Sequence, residues 1–420
     1  MIFQGIKSLL PGNKYTFKTA FFWVCMAATI LLLNFIPPKR HSVLIILAVV
    51  AWFVQGGLWG RIKALFTKLP WALMPGVFFL LMVISLGWSS NQQHGIRILE
   101  QTAGLLVLPI LLGAQRPNEV RDWFPTMIGM LVINLFVFDV WYAINLGNHW
   151  HELDLSSPSP QEPFVPMHTS YFGILNAFVS LFFLSLPTER LSKGTQIVAG
   201  IFFGVFVILV GAQSPLLAYL FLLTVGGMRM VVANWKRITI WGKIGWILAP
   251  VLAIGLLLAT PTTMSRIQRT IDIGIKLPEP GEPQTGLTLR LLKWDCSVEL
   301  ISEAFWVGHG VGDEQDLLNA CYKERNFWGH AHNFNAHNQY LQAHLAIGVL
   351  GPLFLVIMLY GPFLYARYRK RVETGFFLVL FGICLITETM FYRHVGVIFF
   401  ATFYPLMLWH AQLSGIPDPE

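Results

Sequence analysis

The sequence predicts an all-α polytopic membrane protein of about twelve transmembrane helices with one large, partly helical loop on the outer side. Three observations carry that prediction. Of the 420 residues 55% are hydrophobic and only 12% charged, too few charges to cover a soluble protein of this size. The apolar residues gather into stretches near the length of a bilayer crossing. The Lys and Arg residues behind the formal net charge of +7 sit in short connections between these stretches, a pattern that orients helices and does not form a nucleic-acid patch.

The first apolar stretch, 19–36, follows Lys7, Lys14 and Lys18 with no small-residue cleavage site behind it, so it is expected to remain as the first helix. Candidate spans then cover 43–60, 71–88, 102–115, 124–146, 169–187, 195–212, 214–231 and 244–261. After a long polar segment come 341–366, 375–391 and 394–411. Alternate connections carry Arg61, Lys63 and Lys68; Arg116 and Arg121; Arg190 and Lys193; Arg229, Lys236, Arg237 and Lys243; and Arg367, Arg369, Lys370 and Arg371. The connection 149–168 has acids but no Lys or Arg, which puts both termini in the cytoplasm. Lys39 and Arg40 run against the pattern.

Three parts follow: 1–261 with helices one to nine, 262–340 as an outer, periplasmic loop that carries the chemistry, and 341–420 with helices ten to twelve and a short cytoplasmic tail. The loop is too long for a connector, and 287–302 has helical spacing, with Leu289, Leu292, Val298 and Ile301 apolar. Cys296 and Cys321 fall in it, in a compartment where a disulfide would persist; a bridge and a pair of buried thiols are both open. No metal-ligand spacing appears, and no metal or cofactor is expected.

His337 stands where the polar segment meets the tenth apolar stretch. An imidazole at that boundary reaches aqueous substrate and titrates near neutrality, which makes it a candidate catalytic base. Arg97, Arg290, Arg393 and His394 are cationic or imidazole sites on the same side, and an arginine there calls for an anionic partner. Ion pairs of Arg97 with Glu100 and of Arg393 with Glu388 are the plain answer; a pyrophosphate gripped by guanidinium forks is the sharper one. Asp313, Glu314 and Asp316 read as a solvated acidic loop, His309 as part of a tight turn, and Tyr340 as packing. His344 shares a helical face with His337. His168 with Tyr171 reads equally as an interfacial anchor or as donor entry. Only Asp139 and Glu388 place charge near helix centres, which argues against a transporter.

The segment Arg290-Leu291-Leu292-Lys293-Trp294, the turn Trp306-Val307-Gly308-His309-Gly310-Val311-Gly312-Asp313, and His337-Asn338-Gln339-Tyr340-Leu341 with Gly348 and Gly351 occur in that order. Together they resemble the O-antigen ligase and polymerase superfamily. Ser89-Ser90-Asn91 leading to Arg97-Ile98-Leu99-Glu100, and Glu388, Arg393 and Gly396 before Phe399-Phe400-Ala401, extend the resemblance. It implies a metal-independent, inverting glycosyltransferase of the GT-C type in the bacterial inner membrane with a periplasmic active site. Its donor would be a glycan on undecaprenyl pyrophosphate and its acceptor a sugar hydroxyl of lipid A-core. A polymerase of repeat units, a protein O-oligosaccharyltransferase and, in another class, a lipid-linked glycan transporter are the alternatives.

The resemblance makes His337 the base or acceptor-orienting group and Arg290 the pyrophosphate ligand; Asn338, Tyr340 and His168 are further candidate substrate-binding residues. Many members have a second arginine after a serine on a middle helix; here that place reads Gly211-Ala212-Gln213-Ser214-Pro215. Its role then passes to Arg97, Arg266, Arg269 or Arg393, or to neutral hydrogen bonds from Gln213 and Ser214.

Overall fold

The computed structural model describes residues 15–149, 151, 167–187, 191–233 and 286–413, with isolated positions between 235 and 271. Most of the predicted span 244–261, Arg266, Arg269 and most of the connection 149–168 lie outside the described residues. Among those described, all regular structure is helical. Six helices are long and apolar enough to cross a membrane, seven if a bent pair counts as one span, and four shorter apolar helices accompany them. That content fits a polytopic membrane protein.

In chain order the helices are α1 (Phe17–Leu31), α2 (Pro38–Gln55), α3 (Leu58–Lys68), α4 (Met74–Ser85), α5 (Gln92–Thr102), α6 (Gly104–Gly113), α7 (Pro117–Asn148), α8 (Thr169–Ser185), α9 (Lys193–Val210) and α10 (Gln213–Ala233). Beyond the polar segment follow α11 (Gly286–Glu303), α12 (Glu314–Glu324), α13 (Gln339–Ile347), α14 (Leu350–Tyr360), α15 (Val372–Cys384) and α16 (His394–Leu413). Each predicted apolar stretch that lies within the continuously described residues meets a helix.

Three departures have local causes. Gly56 and Gly57, both at positive φ, turn the chain by 106° between α2 and α3, so 43–60 is not a single straight span. The short stretch 102–115 is the second half of a span, Gln92–Gly113, whose first half is the amphipathic α5. The stretch 341–366 breaks at Gly348, leaving α13 with the outer segment and α14 as the apolar helix.

Helix α16 is the axis of the bundle, almost wholly buried, and packs on α6, α7 and α15. Phe178, Phe377, Phe381, Phe399, Phe400 and Phe403 interlock there in edge-on and stacked pairs. This core rigidly fixes the two ends of the 385–393 connection between α15 and α16.

The outer segment forms a second small core, where α11 and α12 pack around Leu292, Leu300, Leu318 and Tyr322. The Cys296–Cys321 disulfide ties the two helices, and Arg325 pairs with Asp295 and Glu299 beside it. The turn after α11 nests against the one after α13. His309 N–H donates to Leu345 O (2.7 Å) and Gly310 N–H to Ala346 O (3.1 Å). A Cβ on Gly308 would stand 2.6 Å from Gly348 N, and one on Gly348 would stand 2.1 Å from Trp306 O. Both glycines have positive φ, which explains the motif's glycines.

The acidic group expected in solvent is instead structural. Asp313 accepts from the backbone N–H groups of Ser90 and Asn91 (both 2.7 Å), and Asp316 from Asn91 Nδ2 (2.8 Å). Val311 and Gly312 N–H donate to Ser85 and Ser89 Oγ (3.1 and 3.0 Å). These bonds pin the segment to the end of α4 and the start of α5.

Candidate functional site

Glu388 lies in the connection between α15 and α16, 4% exposed. A carboxylate taken from water must be answered by donors or cations. Ser170, at the start of α8, donates its hydroxyl to Oε1 (2.7 Å). Arg290 of α11 brings Nη2 to 4.0 Å of the same oxygen, and His337 brings Nδ1 to 3.9 Å of Oε2. Three segments distant in sequence thus converge on one acid. Next to it, the Thr387 hydroxyl hydrogen-bonds Ser214 of α10.

Local sequence sets His337 in place. Its backbone is left-handed (φ 46°), uncommon for a residue with a Cβ, and its N–H donates to Asn335 Oδ1 (3.0 Å). Asn338 then caps α13, its Oδ1 accepting from Tyr340 N–H (2.9 Å) and Leu341 N–H (3.1 Å). Tyr340 donates its hydroxyl to Gly382 O (3.0 Å), and Gln339 accepts from Phe391 N–H (2.9 Å) while its own N–H donates to Leu385 O. Gln339 therefore ties α13 to the connection that carries Glu388, and Tyr340 ties it to α15. The imidazole packs edge-on against Phe334.

The electrostatics are those of a cation-rich pocket around one carboxylate. Burial first, then the charges of Lys293, Arg290, His168 and Arg393, hold the His337 imidazole well below the ordinary histidine range. It is neutral at physiological pH. Arg290 is only partly satisfied: its Nε is buried without a hydrogen-bond partner. Lys293, one turn further on α11, is buried with Nζ 4.1 Å over the Phe334 ring.

Behind the site, Glu314 is fully enclosed and accepts from the Tyr392 hydroxyl (3.1 Å). Burial pushes its carboxyl up to about 8, against the hydrogen bonds of Tyr392 and Gln342. Gln342 also accepts from Ala336 N–H (2.9 Å), so this cluster braces the residue before His337.

Among the residues expected from sequence, His337 and Arg290 meet on Glu388, and Ser214 reaches the neighbouring Thr387. Arg393 and His168 lie exposed, within electrostatic reach of His337. Arg393 forms no ion pair with Glu388, whose neighbours are the Arg290 guanidinium and the His337 imidazole. Asn338 and Tyr340 have their side chains engaged in the scaffold. Arg97 is exposed on α5 with no ion pair to Glu100, and Gln213 is exposed at the first residue of α10. His309 donates Nε2–H to Leu300 O (2.8 Å) and His344 donates Nε2–H to Phe305 O (2.9 Å), both backbone contacts that shape the turns. Sequence reasoning missed Ser170, Lys293 and the hub role of Glu388. The signals were an acid isolated in an apolar stretch and a lysine three positions after Arg290, on one helical face.

A family model described as O-antigen ligase matches residues 198–356. That range runs from α9 through the polar segment into α14 and contains Arg290, Lys293 and His337, while Ser170, Glu388 and Arg393 lie outside it. No curated protein matches the chain.

Proposed function

We propose that this chain, whose matched segment supports membership of the O-antigen ligase and polymerase superfamily, is a multi-pass glycosyltransferase that moves a glycan from undecaprenyl pyrophosphate to a hydroxyl of lipid A-core. The family indicates O-antigen ligase or polymerase-type activity; the donor, the acceptor and the mechanism are our reading. The observation that carries it is the meeting of His337 and Arg290 on the buried Glu388 at one end of an apolar bundle. A lipid-linked donor keeps its tail beside such a bundle while its diphosphate lies among cations at the boundary.

In this reading the acceptor hydroxyl attacks the anomeric carbon of the donor. Its proton passes to His337 Nε2, because Nδ1 faces Glu388. The bond from the anomeric carbon to the phosphate oxygen breaks and its electron pair leaves on undecaprenyl pyrophosphate, whose new charge Arg290 and its neighbours offset. A single displacement of this kind inverts the anomeric centre. Glu388 orients the imidazole and stabilises the imidazolium that forms. The site is assigned to the periplasmic side of the bacterial inner membrane, and the chemistry needs no metal.

Purified protein in proteoliposomes with lipid-linked donor and lipid A-core tests this. His337→Ala should lower transfer by about 10²–10⁴-fold, the usual cost of losing a positioned base. Near-normal turnover of a folded His337→Ala protein removes the base assignment. Deletion of the gene in its host separates the two family activities. Loss of long chains from lipid A-core with accumulation of lipid-linked polymer means ligase, and capping by a single repeat means polymerase.

A further inference from the structure

We propose that Lys293 is a second cationic ligand of the donor's diphosphate, beside Arg290, and that it takes up a proton from solvent when the diphosphate docks. The inference rests on the glycosyl-transfer reading of this site.

Lys293 is 4% exposed, yet among the described residues no hydrogen-bond acceptor meets its Nζ; only the face of Phe334 does. The ammonium meets a ring face and no protein acceptor, weaker compensation than an anion. Arg290, one turn earlier on α11, has a buried Nε without a partner. Two cationic side chains with unused donors therefore stand together, next to a ring that touches His337. Two linked phosphoryl groups supply acceptors in just such a pair.

Charge balance points the same way. A sugar diphosphate diester carries two negative charges, and a third appears on the leaving diphosphate when the sugar bond breaks. Glu388 already offsets one of the cations close to it, so Arg290 alone leaves no surplus positive charge for the donor. Lys293 provides it.

Burial and then the Arg290 guanidinium lower Lys293 to about 7, while Glu388 acts in the opposite direction. In the empty site the amine and the ammonium therefore share the population near neutrality. Other titratable or charged groups around α11 are the neutral His337, with His168 and Arg393 beyond it, and, paired among themselves, Asp295, Glu299 and Arg325. An arriving diphosphate favours the ammonium, so binding draws in a proton at any pH between about 7 and the ordinary lysine value of 10.5.

The test is calorimetric titration of the purified full-length protein with a farnesyl diphosphate-linked N-acetylhexosamine, a short-chain donor analogue whose phosphates do not titrate in this range. Runs in HEPES and Tris, which differ in ionisation enthalpy, report protons taken up. Wild type should take up a large fraction of one proton near pH 8.5 and almost none near pH 6. Lys293→Met should bind roughly 10- to 100-fold more weakly near pH 6 and lose the uptake near pH 8.5. Lys293→Arg should bind without uptake at either pH. Unchanged affinity and uptake in Lys293→Met, or no uptake by wild type near pH 8.5, overturns the proposal. If Lys293→Met does not fold, wild type and Lys293→Arg decide it. Arg290→Ala separates the two levels. If it weakens binding while Lys293→Met does not, only the lysine is wrong; if neither does, the diphosphate reading of the site itself fails.

Discussion

Substituting Glu388→Gln removes one charge and almost no volume, and leaves an oxygen to accept from Ser170. In the ground state little changes for His337, which is neutral. As the acceptor proton transfers, an imidazolium forms 3.9 Å from Glu388 Oε2. Two unit charges at that distance attract by about 4 kcal/mol at an effective dielectric constant of about 20. The His337 side chain is 26% exposed, so solvent screens part of this, and roughly 3 kcal/mol, or about 10²-fold in kcat, is the expected loss. The donor KM should fall as well, because Arg290 is released from its carboxylate partner to bind the diphosphate. Single-turnover transfer in proteoliposomes reads kcat, and donor titration reads KM. A folded Glu388→Gln protein with kcat within about threefold of wild type would refute the orienting role. A rise in KM with unchanged kcat would recast Glu388 as part of donor binding.

Arg290→Ala should weaken donor binding and slow diphosphate departure, with Arg290→Lys a partial rescue because a point charge does not reproduce the fork; donor titration of both variants checks it. Glu314, neutral in the fold up to about pH 8 but ionised in the unfolded chain above about 4.5, contributes stability that is full below pH 4.5 and lost as pH rises toward 8. Glu314→Gln should accordingly raise Tm at pH 8 and leave it nearly unchanged near pH 5, measured by thermal unfolding in detergent. The Cys296–Cys321 bridge closes a loop with a sequence separation of 25 residues, worth about 3 kcal/mol to the outer segment. Alkylation of both thiols without prior reduction, read by mass spectrometry of protein from the native membrane, would contradict it.

The apolar bundle was legible because hydropathy is local: each span announces itself in its own residues. Helix ends were not. The break at Gly348 became evident only once Gly308 packed against it, and α5 is amphipathic because Arg97 and Glu100 lie exposed while Gly95 and Ile98 are buried. His337 and Arg290 were legible by order and type. The partner of Glu388 was not, since an acid in an apolar stretch demands a cation without saying which. Arg393 was near in sequence; Arg290 and His337 were brought closer by packing. Asp313 read as solvated because acids in loops usually are, and the N–H groups it accepts from lie more than 200 residues away. Lys293 escaped notice because its burial under Phe334 is a tertiary fact.

The nested turns at Gly308 and Gly348 also constrain how this chain is able to change. What a Cβ would meet at Gly308 is the backbone of residues 345, 347 and 348, and at Gly348 the backbone of residues 306 and 307. Side-chain clashes are open to compensation elsewhere, because a neighbour shortens or rotates. Backbone clashes are not, and the positive φ at each position adds its own penalty. Mutational drift through this corner therefore has no intermediate steps. A selection for suppressors of Gly308→Ala should return changes at codon 308 itself, while the surrounding loop remains free to vary around two fixed points.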